Sequence, residues 1–159
     1  MIKSIPEKKR TKDKELIGIL GELSDNPIQI KWDLSKKGKI IGLGDINDKD
    51  KFIIEYFDVG KVCEASIRPQ GMDVKHLYKH LCEDKHKKCL KHIIDGKALS
   101  PPAIYKYHCP VDNVDTINFA DGWHRTRVAR FLRLGCIPFF VNKDHLEFVK
   151  DKIAKVVNI

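Results

Sequence analysis

The sequence lacks the long apolar segments that would place the chain in a membrane. No run of apolar residues approaches the roughly 20 that a transmembrane helix needs. Residues Met1 to Lys14 are polar and lysine-rich, without the apolar stretch of a secretion signal. We therefore expect a soluble protein that acts in a cytoplasm and has no membrane partner.

The chain has few cysteines, and their spacing is not that of a disulfide framework. An odd number without paired spacings is unlike a small secreted domain held together by disulfides. The cysteines are Cys63, Cys82, Cys89, Cys109 and Cys136. We expect reduced thiols, in agreement with a cytoplasmic site of action. Cys63 and Cys136 fall in predicted core strands, which makes them poor nucleophiles.

A zinc-binding pattern is also missing. Cys82, His86 and Cys89 share one helical face, and His92 is nearby. Zinc needs four ligands in a tetrahedral arrangement, however, and one helix rarely presents four. No Cys-x-x-Cys pair supplies the remaining ligands. Buried thiols and a solvated histidine explain these residues better, so we assign no metal ligands and expect no zinc.

Acidic residues are outnumbered by basic ones. The chain has 30 lysines and arginines against 22 aspartates and glutamates, which gives a formal net charge of +8. A basic excess attracts polyanions, because phosphates bind Lys and Arg and release counterions. We therefore expect nucleic acid or a nucleotide as the partner. The alternative is a lysine-rich surface that serves only solubility.

Residues 1–60 are expected to form an N-terminal extension of the main domain. A basic tail, Met1 to Lys14, precedes apolar residues from Leu16 to Leu23 at near-helical spacing, which predict a short amphipathic helix. Three short strands joined by polar loops follow and favour an antiparallel β-meander. These strands are predicted at Ile28 to Trp32, Lys39 to Leu43 and Phe52 to Phe57.

Residues 61–159 alternate predicted strands and helices, which indicates an α/β (α+β) fold. The hydrophobic fraction of 42% is enough to build its core. Strands are predicted at Lys61 to Ile67, Ala103 to Tyr107, Ile117 to Ala120 and Cys136 to Val141. Helices are predicted from Val74 to Leu81, around Leu90 to Ile94, from His124 to Leu134 and from Lys143 to Val157.

One predicted strand runs into Asp121-Gly122, and a predicted helix follows that begins with His124 and Arg125. This arrangement favours the binding of an anion. The first N–H groups of a helix lack internal partners and carry partial positive charge, so an anion binds there. Gly122 allows close approach of the backbone, Arg125 can fork onto phosphate oxygens and His124 can transfer a proton. We therefore expect phosphate at the N–H groups of Gly122 to Arg125. Asp121 is either a helix cap or a catalytic carboxylate.

Further cations follow on the same helix. Arg127, Arg130 and Arg133 recur at a spacing of three residues and are expected to form a basic stripe. Together with Lys75, Lys79 and other lysines up to Lys91, they predict a nucleic-acid surface beside the phosphate. The alternative is a solvated helix face.

The ordered motifs resemble the ParB/sulfiredoxin superfamily, over about half of the chain, from Val62 to Val141. The resemblance lies in Asp-Gly-x-His-Arg, an alanine-bearing helix, Leu-Gly and Ile-Pro, preceded by an arginine-proline strand end and a double proline. In this chain these are Phe119 to Arg125, Ala129, Leu134-Gly135, Ile137-Pro138, Ile67-Arg68-Pro69 and Pro101-Pro102.

The resemblance implies a mixed sheet with flanking helices and a nucleotide or phosphate pocket at the Gly-x-His-Arg helix. By the same resemblance, Arg68 is a second phosphate clamp, and Asp73, His76 and His80 lie near the phosphate. Taken singly, each histidine is slightly better explained as an exposed residue of a basic helix. Members of the superfamily include ATP-dependent sulfinic acid reductases, ParB partition proteins that bind CTP and DNA, free serine kinases, and proteins with ATPase and nuclease activity. The fold alone does not choose among these reactions.

Two departures from the superfamily reduce the number of activities and DNA-binding modes that we expect. Sulfiredoxins carry their catalytic cysteine directly before the His-Arg pair, where this chain has Trp123. Tryptophan cannot act as a thiolate, so we expect no sulfinic acid reduction. Trp123 either stacks on a base or sugar or is simply a packed aromatic. We also expect no helix-turn-helix or dimerisation segment of the ParB kind, so any DNA contact is expected from this domain.

These observations predict a phosphate-directed enzyme, a nuclease or nucleoside triphosphatase that acts on nucleic acid. Arg125 holds the phosphate, His124 transfers the proton, and Glu64 or Asp121 is the base. A nucleoside triphosphate and magnesium are the cofactors that this chemistry allows. The basic charge also suits a bacterial toxin domain, whose partner would include an immunity protein. The alternatives are a non-catalytic binding module for nucleic acid or nucleotide and a small-molecule kinase.

Overall fold

The computed structural model describes residues 13–25, 28–35, 51–67 and 83–157, and these form an α+β fold, as predicted. The helices are α1 (Lys14–Asp25), α2 (Val59–Ala65), α3 (Asp84–Ile94), α4 (Trp123–Phe131) and α5 (Leu146–Ala154), with a 3-10 turn at Lys143–His145. The strands are β1 (Phe52–Asp58), β2 (Ala103–Cys109), β3 (Val114–Asp121) and β4 (Cys136–Asn142). In these ranges no helix is both long and apolar enough to cross a membrane.

The four strands form one mixed sheet in the order β1-β4-β2-β3. β4 pairs antiparallel with β1 along its whole length and parallel with β2, through Phe140 opposite Ala103 and Val141 opposite Ile104. β2 and β3 pair antiparallel. The central strand β4 is buried from Ile137 to Val141, which explains its continuous apolar sequence.

Two apolar cores meet at helix α4. One core joins α1, α3 and α4 around residues such as Leu16, Leu90 and Phe131. The other joins α2, α4 and α5 to the sheet, around residues such as Phe139 and Val149. Because α4 contributes to both cores, most of its residues are buried, and its first turn is held in a fixed position.

The predicted strand Lys61 to Ile67 is wrong, because the chain forms helix α2 there. The carboxylate of Asp58 accepts a hydrogen bond from the Lys61 N–H at 2.9 Å and caps the helix. Val59, Val62 and Cys63 are buried at a spacing of three and four residues, which is a helical period. In so short an apolar segment, the helical and strand periods are hard to separate from sequence.

The predicted N-terminal strands have different outcomes. The third is present as β1, and its pairing with β4 makes it part of the main sheet. The first is wrong, because residues 28–35 make only an isolated parallel bridge between Trp32 and Leu99. The neighbours of Trp32 complete that bridge, with the Asp33 N–H donating to the Leu99 carbonyl at 2.8 Å and the Leu99 N–H donating to the Lys31 carbonyl at 2.9 Å. The second strand, predicted within residues 36–50, lies outside the described residues.

Helix α4 begins at a glycine that lies directly against Pro102. Gly122 is left-handed, with φ 83°, and a Cβ at this position would lie 2.7 Å from the Cα of Pro102. The Pro102 carbonyl accepts a hydrogen bond from the Phe140 N–H at 2.8 Å, which ties this contact to β4. The close approach that the sequence predicted for Gly122 is therefore an approach to the protein's own backbone.

Replacing Gly122 by alanine is expected to destabilise the fold more than the same change at Gly135. Both glycines have positive φ, but a Cβ at Gly135 meets nothing within 4 Å. Gly135→Ala should therefore cost only the backbone strain, about 1–2 kcal/mol. Gly122→Ala should cost about 1–3 kcal/mol more because of the clash with Pro102. Urea unfolding of both variants measures the difference, and equal losses would contradict the contact.

Candidate functional site

A cavity of about 290 Å³ opens between helix α3, the chain before β2 and the first turn of α4. The sequence motif contributes His124 and Arg125 to its wall. The residues that line it are Lys85, Lys88, Cys89, His92, Ala98, Leu99, Ser100, His124 and Arg125. The cavity therefore lies at the helix start where the sequence predicted phosphate binding.

Positive charge dominates this cavity. Lys85 and Lys88 are exposed on α3, Arg125 is half-buried on α4, and none of the described lining residues is a carboxylate. The Nε of Arg125 is buried and has no hydrogen-bond partner among the described residues. Buried donors normally have a hydrogen-bond partner, so this N–H group is available to donate to a ligand. The cavity is suited to an anion.

Asp121 orients Arg125 and does not cap the helix. One oxygen of its carboxylate accepts a hydrogen bond from the Gly122 N–H at 2.8 Å. The other accepts one from the Arg125 guanidinium at 3.2 Å. The N-cap residue is Gly122, and no side-chain hydrogen bond caps α4. The Gly122 N–H is thus already bonded, which moves the predicted phosphate contact to the following N–H groups.

His124 is held as a neutral imidazole beside the cavity. Its ring lies edge-on to the ring of His86, with centroids 4.7 Å apart and planes at 70°. Burial lowers the pKa of His124, and the positive charge of Lys85 lowers it further. A neutral imidazole can accept a proton or bind a metal ion.

Three side chains converge at this point from two helices. Glu83, His86 and His124 each offer a ligand atom, and these atoms all lie within 4.8 Å of one another. His86 is fully buried, and its Nδ1 is 3.7 Å from a carboxylate oxygen of Glu83. Sequence analysis missed Glu83 and the pairing of the two histidines. The spacing of Glu83 and His86 was visible, whereas the contact with His124 depends on the packing of α3 against α4.

The structure does not bring Glu64 together with His124. Glu64 is on helix α2 and not on the predicted strand Lys61 to Ile67. Its carboxylate accepts a hydrogen bond from Arg130 at 2.7 Å. Both residues line a different cavity, of about 300 Å³, together with Asp58 and Lys61. Among the predicted bases, only Asp121 lies beside the motif.

The predicted arginine stripe is wrong for two of its three members. Arg127 is 8% exposed, and its guanidinium lies 4.8 Å from the centre of the Trp123 ring. Arg130 is half-buried in its ion pair with Glu64. Arg133 is exposed, but it lies beyond the last residue of α4. Because α4 is packed on several sides, its cations turn inward and cover neighbouring side chains.

Trp123 is a packed aromatic. Its ring contacts Phe119 edge-on, with centroids 5.1 Å apart and planes at 83°, and Arg127 covers it from another side. The interpretation of Trp123 as a packed residue is the one that these contacts favour. The base-stacking alternative would require Arg127 or Phe119 to move.

Part of the lysine charge on α3 is neutralised by helix α1. Lys87 forms ion pairs with Asp13 at 2.6 Å and with Glu15 at 3.3 Å, and Lys91 also contacts Glu15. These pairs lower the pKa of Asp13 and Glu15. The lysines that face the cavity are Lys85 and Lys88.

The buried thiols of Cys63 and Cys89 lack the lowered pKa of a catalytic cysteine. Burial raises the pKa of Cys63 to about 12 and that of Cys89 to about 11, so both are protonated. Cys63 is on a helix rather than the predicted strand, and Cys136 is exposed at the start of β4 rather than in the core. The cysteines in the described residues are all free.

Six predicted site residues fall in the segment 68–82, outside the described residues. They are Arg68, Asp73, Lys75, His76, Lys79 and His80. Their roles stay as the sequence predicted them.

The imidazole of His124 is expected to titrate below the ordinary histidine value of about 6.5. Burial and the nearby lysine disfavour its protonated form, so the neutral form persists to lower pH. An NMR titration of the histidine ring resonances measures this value. Lys85→Ala should move it upward, and a wild-type value at or above 6.5 would contradict the described surroundings.

The chain was compared with known proteins at the level of sequence and of structure. No protein-family model, no curated protein and no solved structure matches it.

Proposed function

We propose that this chain binds a phosphate group of nucleic acid or of a nucleotide in the cavity at the start of α4 and hydrolyses it, as a nuclease or nucleoside triphosphatase. The observation that carries the proposal is the convergence of Lys85, Lys88, Arg125 and His124 on one cavity. We place the activity in a cytoplasm, where the free thiols of the described residues stay reduced.

The charges of the cavity support recognition of phosphate. Arg125 offers a planar fork of donors, and its buried Nε has no partner among the described residues. Asp121 fixes the orientation of this guanidinium through the 3.2 Å hydrogen bond. Lys85 and Lys88 add point charges on the opposite wall, and the N–H groups of the first turn of α4 add partial positive charge.

The same residues support hydrolysis as the reaction. Phosphoryl transfer depends mainly on positioning and on stabilising the charge of the transferred group, which cations do. His124 is neutral at neutral pH and lies next to Arg125 in the sequence and in the cavity. It is therefore placed to activate a water molecule close to the bound phosphate. The resemblance to the ParB/sulfiredoxin superfamily supports a phosphate pocket at this helix.

A non-catalytic binding module is the second candidate. It is favoured by the lack of a carboxylate among the described lining residues and by the engagement of Asp121 with Arg125. Such a module would use the same cavity for affinity and would release its ligand unchanged. Turnover separates the two candidates.

The test is incubation of the pure protein with plasmid DNA, total RNA and each nucleoside triphosphate, with and without divalent cations. His124→Ala should lower turnover by roughly 100-fold or more with little change in affinity, because it removes the group that activates water. His108→Ala is the matched control, since His108 is exposed on β2 and outside the cavity.

Binding is tested separately through its dependence on salt. Arg125→Ala should weaken binding, whereas Arg133→Ala should not, because Arg133 is exposed and outside the cavity. Loss of Lys85 or Lys88 should reduce the log–log salt slope by about one per lost phosphate contact. Salt-dependent binding without turnover of any substrate would favour the binding module. If Arg125→Ala and Arg133→Ala bind alike, phosphate is not held in this cavity.

A further inference from the structure

We propose that Glu83, His86 and His124 together bind a divalent transition-metal ion beside the cavity. The three residues come from two helices, Glu83 and His86 from the start of α3 and His124 from the first turn of α4. Metal binding by this group does not require that the chain be an enzyme. The catalytic role of the metal, in contrast, rests on the proposed function.

The geometry of the group suits a small ion. Ligand atoms at about 2.0–2.2 Å from a tetrahedral metal lie about 3.3–3.6 Å from each other. The Glu83 oxygen and the Nδ1 of His86 are 3.7 Å apart, and all three ligand atoms lie within 4.8 Å of one another. Rotations of the Glu83 and His124 side chains, neither of which is fully buried, would bring the three ligand atoms to these separations. His86 is 0% exposed, so one ligand is already fixed by packing.

The chemistry of the donors indicates which ions fit. Two imidazoles and one carboxylate suit zinc and its neighbours among the transition metals, while magnesium and calcium prefer oxygen ligands. Three protein ligands leave at least one position open, as in metal sites that activate water. The sequence argument against zinc concerned Cys82, His86, Cys89 and His92 as ligands from one helix. Of these, His86 belongs to the present group, and its partners come from Glu83 and from a second helix through His124.

The charge around the group both helps and limits binding. Lys85 lines the same cavity as His124 and places a positive charge near the group. The same Lys85, with Arg125 and Arg127, repels a cation. The carboxylate of Glu83 opposes this repulsion, and a phosphate bound in the cavity would oppose it further. Metal and phosphate should therefore each strengthen the binding of the other.

With the metal bound, His124 acts as a ligand and activates water through the ion. His124 belongs both to the group and to the cavity wall, which brings the ion next to the phosphate. A water bound to the metal would release a proton to solvent near neutral pH. Its oxygen then attacks phosphorus, the bond to the leaving oxygen breaks, and that oxygen takes up a proton from solvent.

Metal binding is tested directly with Zn²⁺ in a calorimetric titration of the metal-free full chain. We expect one ion per chain and a loss of affinity of roughly tenfold or more in Glu83→Gln, which removes a charged ligand and keeps the shape of the side chain. Glu83 is 54% exposed, so this variant should fold. Asp84→Asn is the matched control, because it removes the same charge from the adjacent exposed residue, outside the group, and should bind nearly as wild type.

A Co²⁺ spectrum and NMR identify the ligands. The ring resonances of His86 and His124 should shift on binding, and those of His92 should not. A thiolate-to-cobalt charge-transfer band would instead locate the ion at a cysteine and overturn the proposal. Equal losses in Glu83→Gln and Asp84→Asn would also overturn it, since the effect would then be one of general charge.

The outcomes for the metal and for the reaction can be told apart. One Zn²⁺ bound through these residues without turnover of any substrate supports the metal site and contradicts the proposed function. Turnover that persists in chelator, together with no Zn²⁺ binding in the calorimetric titration, contradicts the metal site and leaves the proposed function standing. Turnover that is lost in chelator and in Glu83→Gln, and kept in Asp84→Asn, supports both.

Discussion

The candidate site depends on the fixed position of the first turn of helix α4. Gly122 lies against Pro102 so closely that a Cβ would come within 2.7 Å of its Cα, and Pro102 is bonded to the central strand β4. Behind this turn, two apolar cores bury the rest of the helix. His124 and Arg125 are therefore presented by a rigid support, which is what a binding or catalytic group requires.

The burial of α4 also decides where its charges act. Arg127 covers Trp123 and Arg130 pairs with Glu64, so these two arginines stabilise packing and leave little for an external partner. Arg125 is different, because it opens into the cavity with Lys85 and Lys88. The arginines of helix α4 are thus divided between internal contacts, at Arg127 and Arg130, and the cation patch that Arg125 forms with Lys85 and Lys88 at the cavity. We propose that this patch binds an anion of the size of a phosphate group, because the arginines of α4 do not form a long basic track.

Most of the correct predictions of helices and strands rest on local sequence patterns. The strand, glycine and helix around Gly122 and the buried strand β4 follow from patterns within about ten residues. Helix α2 was not predicted, because its short apolar run fits both the helical and the strand period. The helix cap at Asp58 is evident only in the structure. The pairing of Glu64 with Arg130 spans 66 residues, and the approach of Glu83 and His86 to His124 joins two helices. Such contacts are set by tertiary packing and leave no periodic trace in the sequence.

The central claim is that phosphate is held at the start of α4, and an NMR titration with inorganic phosphate and with a non-hydrolysable nucleoside triphosphate tests it most directly. The account predicts that the largest shifts occur at the backbone amides of Trp123 to Arg125 and at the Nε–H of Arg125, and that they saturate. Saturating shifts centred on the other cavity, near Lys61 and Arg130, or no saturating shifts at all, would contradict it.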